Sequence, residues 1–252
     1  MSVGNNGGVI VIAADDPLAV EATDVVQAGD LERLAQLLQD NPTLATAHIG
    51  TCPDGMSRTL LHAATDWPGH FPNNPQIVQL LIDAGADVNA RFTGPHTETP
   101  LHWAASSDDV DVLDVLLDNG ADIEAAGAVI AGGTPLADAT AFGQWNAARR
   151  LIERGAKSNM FESATLGLLD RIEPLFDDDS PPPPDFVTGS FWGACHGGQL
   201  STARYLLDHG ADLNWVSSWD STTPLDAARR SEAEDVVEWL VALGAHEARD
   251  AN

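Results

Sequence analysis

The chain has 252 residues, of which 44% are apolar, so it is long and apolar enough to form a substantial core. It carries 38 acidic and only 12 basic residues, a net charge of −26 at pH 7. This balance argues against DNA, RNA or an anionic membrane as a partner, because each of them requires a basic face. The acidity favours either solubility alone or the attraction of a basic partner.

The cysteine content and the hydropathy indicate the compartment. Cys52 and Cys195 are the two cysteines, too few for a disulfide scaffold. The apolar run at residues 9–12 follows no basic region and therefore does not resemble a signal peptide. No apolar run reaches the length that spans a membrane. We expect a cytoplasmic protein.

The N-terminal part predicts a tail followed by a helix pair. Residues 1–14 are rich in glycine and asparagine, which predicts a flexible tail. Asp16 begins a helix that ends near Gly29, and Asp30 caps a second helix over residues 31–39. We expect this pair to be the terminal cap of a stack, because it lacks the motif that follows and its outer side must face water.

A short motif then recurs along the chain. Thr-Pro-Leu opens a predicted helix at Thr99, Thr134 and Thr223, its fullest copy reads T-P-L-H-W-A-A, and a weaker copy begins at Leu60. Threonine caps a helix, and proline is tolerated at the first helical position because its missing N–H would have no intrahelical partner. A second helix with one apolar face follows each motif and ends at a glycine. The closing glycines Gly85, Gly120 and Gly155 lie 35 residues apart.

A period of this length around T-P-L-H-x-A resembles the ankyrin repeat. The resemblance covers nearly the whole chain and implies an all-α fold, a bacterial-type solenoid of stacked helix pairs with long hairpin loops. It implies about seven repeats, degenerate caps included, in a single domain over residues 15–252. The repeats are expected near residues 15–50, 59–90, 99–127, 134–160, 161–185, 189–215 and 223–248.

The fifth expected repeat is degenerate and carries an insertion. Its second helix is followed by the acidic run 177–180 and by the four prolines Pro181–Pro184. Consecutive prolines favour an extended polyproline conformation and cannot lie inside a helix. Because the repeat pattern resumes at once, we interpret this segment as an insertion within the domain and not as a domain boundary.

In ankyrin proteins the first helices and the hairpin tips line a concave groove, where partners bind. Carried over residue by residue, the resemblance places an unusual number of aromatic side chains in that groove. The expected binding residues are Asp66, Trp67, Phe92, His96, Trp103, Ser106, Phe142, Trp215 and Trp219. Clustered aromatics are typical of protein-binding hot spots and of small-molecule pockets, and a tryptophan can also simply pack a long loop onto its helices.

Two further groove positions are candidate catalytic residues, His196 and Asp138. Together they could act as an acid–base pair if they approached each other across the groove. His62 and His102 instead match the motif histidine, which in the family hydrogen-bonds the backbone at the hairpin. We expect no metal site and no cofactor, because the sequence has no C-x-x-C pair, no H-E-x-x-H and no P-loop motif.

The resemblance implies an adaptor or scaffold that binds a protein partner in its groove, with a basic partner favoured by the acidity. The alternative is a protein that binds a small molecule, or an enzyme that performs cofactor-independent acid–base chemistry in a pocket lined by Trp, His and Asp. The sequence leaves both functions open.

Overall fold

The chain folds into helix pairs, as the repeat motif predicts, and the all-α class is confirmed. The structure is a computed structural model that describes residues 3–6, 9–51, 55–177 and 180–250, and these ranges contain seven helix pairs. The first four are α1 (Pro17–Ala28) with α2 (Leu31–Asp40), α3 (Leu60–Thr65) with α4 (Asn74–Asp83), α5 (Pro100–Ser106) with α6 (Val110–Asp118), and α7 (Pro135–Ala141) with α8 (Trp145–Glu153). The last three are α9 (Met160–Thr165) with α10 (Leu169–Phe176), α11 (Pro184–His196) with α12 (Leu200–Asp208), and α13 (Pro224–Arg230) with α14 (Glu234–Ala242).

The pairs fall into two compact units, residues 1–156 and 157–252. The division lies between the fourth and fifth pairs and not at the proline run. A single continuous domain over residues 15–252 stays a prediction.

The third pair shows why these sequences form a stack. Leu101 and Ala104 on α5 have no exposed surface, and neither do Val112 and Leu116 on α6. The short helix α5 packs between α3 and α7, and α6 packs between α4 and α8. Because each pair has apolar surface on both flanks, burial comes from the neighbouring pairs. Gly120 follows α6 with a φ of 88°, a left-handed conformation that a glycine adopts without strain.

The second unit has its own core, centred on α11. This helix packs against α9, α12 and α13. Phe191 and Cys195 on α11 have no exposed surface, and Ile172, Leu206 and Leu240 from neighbouring helices are equally buried. The unit therefore buries a contiguous apolar cluster of its own.

The predicted N-terminal tail differs from the structure. Most of the predicted tail forms two strands, β1 (Val3–Asn6) and β2 (Val9–Ala13). Strand β2 pairs in parallel with β3 (His48–Gly50). Strand β4 (Ser57–Arg58) pairs with β3, so the order of the sheet is β1-β2-β3-β4. The β-branched run at 9–12 suits a strand, but its partner β3 lies more than thirty residues away, so local composition alone favoured a tail. Residues 1, 2, 7 and 8 of the predicted tail lie outside the described residues.

The proline run also differs in one respect from the predicted insertion. Pro183 is extended, with φ −57° and ψ 146°, but Pro184 is the first residue of α11. A proline is tolerated there for the same reason as in the T-P-L motif. The sixth pair therefore begins before the predicted boundary at residue 189. Asp178 and Asp179 of the acidic run lie outside the described residues.

The first prediction concerns the core. Leu101→Ala should lower the free energy of unfolding of the first unit by roughly 2–5 kcal/mol, because it leaves a cavity at a fully buried position. Leu243→Ala, at a position 47% exposed, should cost about 0.5 kcal/mol or less in the second unit. Hydrogen exchange in each unit measures both losses separately. Equal losses at the two positions would contradict this account of the core.

Candidate functional site

Two motif histidines fix the hairpins from which the first candidate site is built. In His62 the ring Nδ1 accepts a hydrogen bond from the backbone N–H of Thr59 at 3.3 Å, which leaves Nε2 as the donor to the carbonyl of Glu98 at 3.2 Å. His102 accepts from the N–H of Thr99 at 3.1 Å in the same way, and its Nε2 lies 3.4 Å from the carbonyl of Gly133. Each histidine therefore ties the start of its own helix to the next hairpin.

Both histidines are neutral as a result of this position. Burial lowers the pKa of His62 to about 3, although the hydrogen bond to the Glu98 backbone acts to raise it. Burial lowers the pKa of His102 to about 4 in the same way. The family-derived role of these two residues, a hydrogen bond to hairpin backbone, matches the observed contacts.

Phe92 and Trp103, two of the expected binding residues, lie together beside His62. The Trp103 ring meets the His62 ring edge-on at 5.0 Å and the Phe92 ring at 5.6 Å. Both aromatic side chains are partly exposed and line one cavity of the first unit. The structure therefore brings two of the expected residues into a single concave feature.

Two buried carboxyl groups, Glu98 and Asp138, belong to the same part of the first unit as Trp103. Burial raises the pKa of Glu98, while a hydrogen bond from Trp103 and the charge of His96 act to lower it. Asp138 has no exposed surface, and burial raises its pKa to about 7; a backbone N–H from Ile130 opposes the rise and the charge of Glu98 adds to it. The Asp138 Oδ2 atom has no hydrogen-bond partner among the described residues.

A carboxyl group with this pKa changes charge near neutral pH, a property suited to acid–base chemistry. The candidate Asp138 was predicted from its repeat position, but the extent of its burial was not. That burial depends on tertiary packing, which no local sequence pattern predicts.

His96 acts on Glu98 through its charge, but the other expected residues of the first unit do not line the cavity beside Phe92 and Trp103. Trp67 is 78% exposed and Phe142 is 48% exposed. Asp66 pairs with Arg58, and the Ser106 hydroxyl donates to the carbonyl of its own helix at His102, 2.9 Å away. Asp66 and Ser106 thus have visible structural partners, whereas the two exposed rings remain available to a partner.

The second unit brings together Trp215 and Trp219 with two aromatics that were not predicted for the site. The Trp219 ring lies 5.2 Å from Trp215, 5.2 Å from Trp192 and 6.2 Å from Phe161. The Trp192 and Trp219 rings are nearly perpendicular, at 85°. Trp192 is only 4% exposed, and its ring belongs to this cluster. We call these four residues the aromatic cluster.

Polar groups hold one side of the aromatic cluster. The Arg230 guanidinium lies 5.5 Å from the centre of the Trp192 ring and donates to Asp220 at 2.8 Å. Thr222 accepts from the Trp192 indole at 3.2 Å and donates to Asp220 at 2.7 Å. Burial acts to raise the pKa of Asp220, but hydrogen bonds from Ser217, Arg230 and Thr222 outweigh it, so the pKa is lowered. This carboxylate is therefore fixed in its charged form.

His196 lies beneath the same cluster and is only 6% exposed. Its Nδ1 lies 2.9 Å from the Ser231 hydroxyl, and its ring lies 5.4 Å from Trp192. The predicted acid–base partner Asp138 belongs to the other unit. The pairing of Asp138 with His196 stays a prediction.

The described residues provide neither a metal-binding group nor a membrane-spanning helix. Residues 3–6, 9–51, 55–177 and 180–250 contain no group of three or more His, Cys, Asp or Glu side chains arranged to hold a metal ion. None of the helices within these ranges combines the length and apolarity needed to cross a bilayer.

Comparison with known proteins gives the same family as the repeat motif. The family model for ankyrin repeats (three copies) matches residues 23–127 and 73–162. An ankyrin repeat and KH domain-containing protein of Caenorhabditis briggsae is 30% identical over 180 residues, and the mask-1 protein of the same description from Caenorhabditis elegans is 28% identical over 180 residues. Each match covers 68% of this chain but 7% of the relative, so this chain spans a small part of the length of those proteins.

The second prediction tests the buried carboxyl group. Asp138 ionises near 7 in the folded state but near its ordinary 3.8 when unfolded, so its contribution to the free energy of unfolding should fall as pH rises from about 4 to about 7. Asp138→Asn should remove this contribution, so the variant should gain roughly 4 kcal/mol of stability relative to the parent between pH 4 and pH 8. The low pKa values of His62 and His102 have the opposite effect, because these buried histidines cost stability as the pH falls below about 6.5. This effect is the same in the parent and in the Asp138→Asn variant, so it cancels when the two are compared.

Urea unfolding of both proteins across this pH range measures the difference. Parallel profiles would mean that Asp138 already ionises at its ordinary pKa in the folded protein.

Proposed function

This chain belongs to the family of ankyrin-repeat proteins, and from that premise we propose that it is an adaptor or scaffold that binds another protein through its inner helices and hairpins. Ankyrin repeats in general mediate protein–protein interaction. The proposal assigns the recognition surface to the aromatic cluster of the second unit. A cytoplasmic location is part of the proposal, and the free, buried thiol of Cys195 is compatible with a reducing compartment.

The observation that carries this proposal is the exposure of Trp219. Its side chain is 54% exposed although Trp192, Trp215 and Phe161 already surround it. A large aromatic ring held rigidly by other rings loses little conformational entropy on binding. Tryptophan and arginine are also the residue types that most often supply binding energy at protein interfaces.

The charges around the aromatic cluster define the partner further. Arg230 already forms an ion pair with Asp220, so its positive charge is not available to bind an acidic group of a partner. The whole chain carries a charge of −26, which attracts basic surfaces and repels acidic ones. We therefore expect a partner that places an apolar anchor against Trp219 and basic residues around it.

The third prediction identifies the surface and the partner together. A photo-crosslinking amino acid at position 219 should capture a specific protein in cells of the source organism, whereas the same group at position 186 should not. Phe186 is a suitable control because its side chain is 66% exposed on α11 and lies outside the aromatic cluster.

With the captured protein purified, Trp219→Ala should weaken its binding by about tenfold or more, while Phe186→Ala should change it by less than about twofold. Circular dichroism checks that both variants fold. Equal effects of the two substitutions, or capture at position 186 alone, would refute the assignment of the surface.

A further inference from the structure

The first unit contains a cavity that the proposed recognition surface does not use. Its volume is about 510 Å³, within the roughly 300–1,000 Å³ typical of small-molecule sites. It lies between α1, the short strands β3 and β4, Phe92 and α5. The lining residues that the argument uses are Val20, Asp24, Met56, Arg58, Phe92 and Trp103.

The walls of this cavity suit an apolar body. Phe92 and Trp103 form an aromatic wall, with their rings inclined at 50°. Met56 is 61% exposed and Val20 is 44% exposed, although both line the same cavity. Because an occupant would cover apolar surface that now faces water, burial favours a ligand with an aromatic or aliphatic group.

The charges of this cavity suit a cation. Asp24 and Arg58 are its two ionisable lining residues among those described, and Arg58 is already paired with Asp66. Asp24 is exposed and has no ion-pair partner in the described part of the chain. Trp103 also lines the cavity, and ammonium groups are attracted to tryptophan rings. An anionic ligand would be repelled by Asp24, and the arginine that could attract it is already paired with Asp66 outside the lining.

We propose that this cavity binds an organic cation in which a primary ammonium group is carried on an apolar body. The ammonium group pairs with Asp24, and the apolar body packs against Met56, Phe92 and Trp103. Two sources share this chemistry: a free hydrophobic amine, and the N-terminal ammonium of a peptide whose first residue is apolar. The inference stands apart from the aromatic cluster of the second unit and does not depend on it.

Three probes of similar shape and different charge test the proposal: 2-phenylethylamine, 2-phenylethanol and phenylacetate. Calorimetry on the whole chain should show that the amine binds at least about fivefold more tightly than the other two probes. This preference is expected because the amine alone can form an ion pair with Asp24 and a cation–π contact with Trp103. A preference below about fivefold, a preference for phenylacetate, or no saturable binding of the amine below about 10 mM would overturn the proposal.

Two variants tie the binding to this cavity. Asp24→Asn should reduce the preference for the amine over the alcohol by at least about threefold, whereas the control Asp111→Asn, which removes an equal charge from an exposed position on α6 outside the cavity, should leave it unchanged. Val20→Trp, at an exposed position of α1, should fill the cavity and weaken all three probes by about tenfold. A smaller effect of Asp24→Asn, or an equal effect of the control, would overturn the proposal.

A fourth probe, the capped-C-terminus peptide Phe-Gly-Gly-amide, separates the two sources. If it binds at least as tightly as 2-phenylethylamine and responds to Asp24→Asn in the same way, the natural ligand is a peptide N-terminus; if it binds more weakly, the natural ligand is a free amine. Both results support the shared chemistry. Loss of its binding only in the control variant would contradict it.

Discussion

The first unit depends on the two hydrogen bonds that each motif histidine makes at once. His62 accepts from the backbone of Thr59 and donates to the carbonyl of Glu98, and His102 repeats the arrangement with Thr99 and Gly133. An unpaired buried imidazole would be costly, so both partners must be in place before the unit is stable. Because one partner lies at the start of the helix and the other on the next hairpin, local helix capping also sets the spacing between repeats. The hairpins so fixed carry Glu98 and position Phe92 beside Trp103.

In the second unit an aspartate takes the place of the motif histidine and also connects a helix start to a distant backbone group. At the equivalent position of its last motif, Asp226 accepts from the backbone N–H of Thr223 at 2.9 Å, and the same oxygen accepts from Ala248 at 2.9 Å. The carboxylate therefore caps α13 and also holds the segment that follows α14. In both units a side chain three residues after the cap connects a helix start to a distant backbone group. Hydrogen bonds of this kind restrict the movement of the connected segments, and restricted segments lose less entropy on binding.

The sequence predicted the features that depend on neighbouring residues, but not those that depend on contacts between residues far apart in the chain. The Thr-Pro-Leu motif and the closing glycines act within a few residues, and the helix pairs they predict are all present. The strand β2 was missed because its partner β3 lies far along the chain. Asp138 was found from its repeat position alone, since repeat registers are local. The Asp138 oxygen that has no partner in the described part of the chain, and the inclusion of Trp192 in the aromatic cluster, depend on packing between distant segments, which no short sequence pattern predicts.

The central claim is that partners are recognised on the inner helices and hairpins of the second unit, at the aromatic cluster. Hydrogen exchange of the whole chain, with and without the captured partner, tests it most directly because it reports every backbone amide at once. The account predicts that slowing of exchange on binding concentrates in residues 214–222 and at the start of α13. Slowing confined to α12 and α14, with residues 214–222 unchanged, would contradict it.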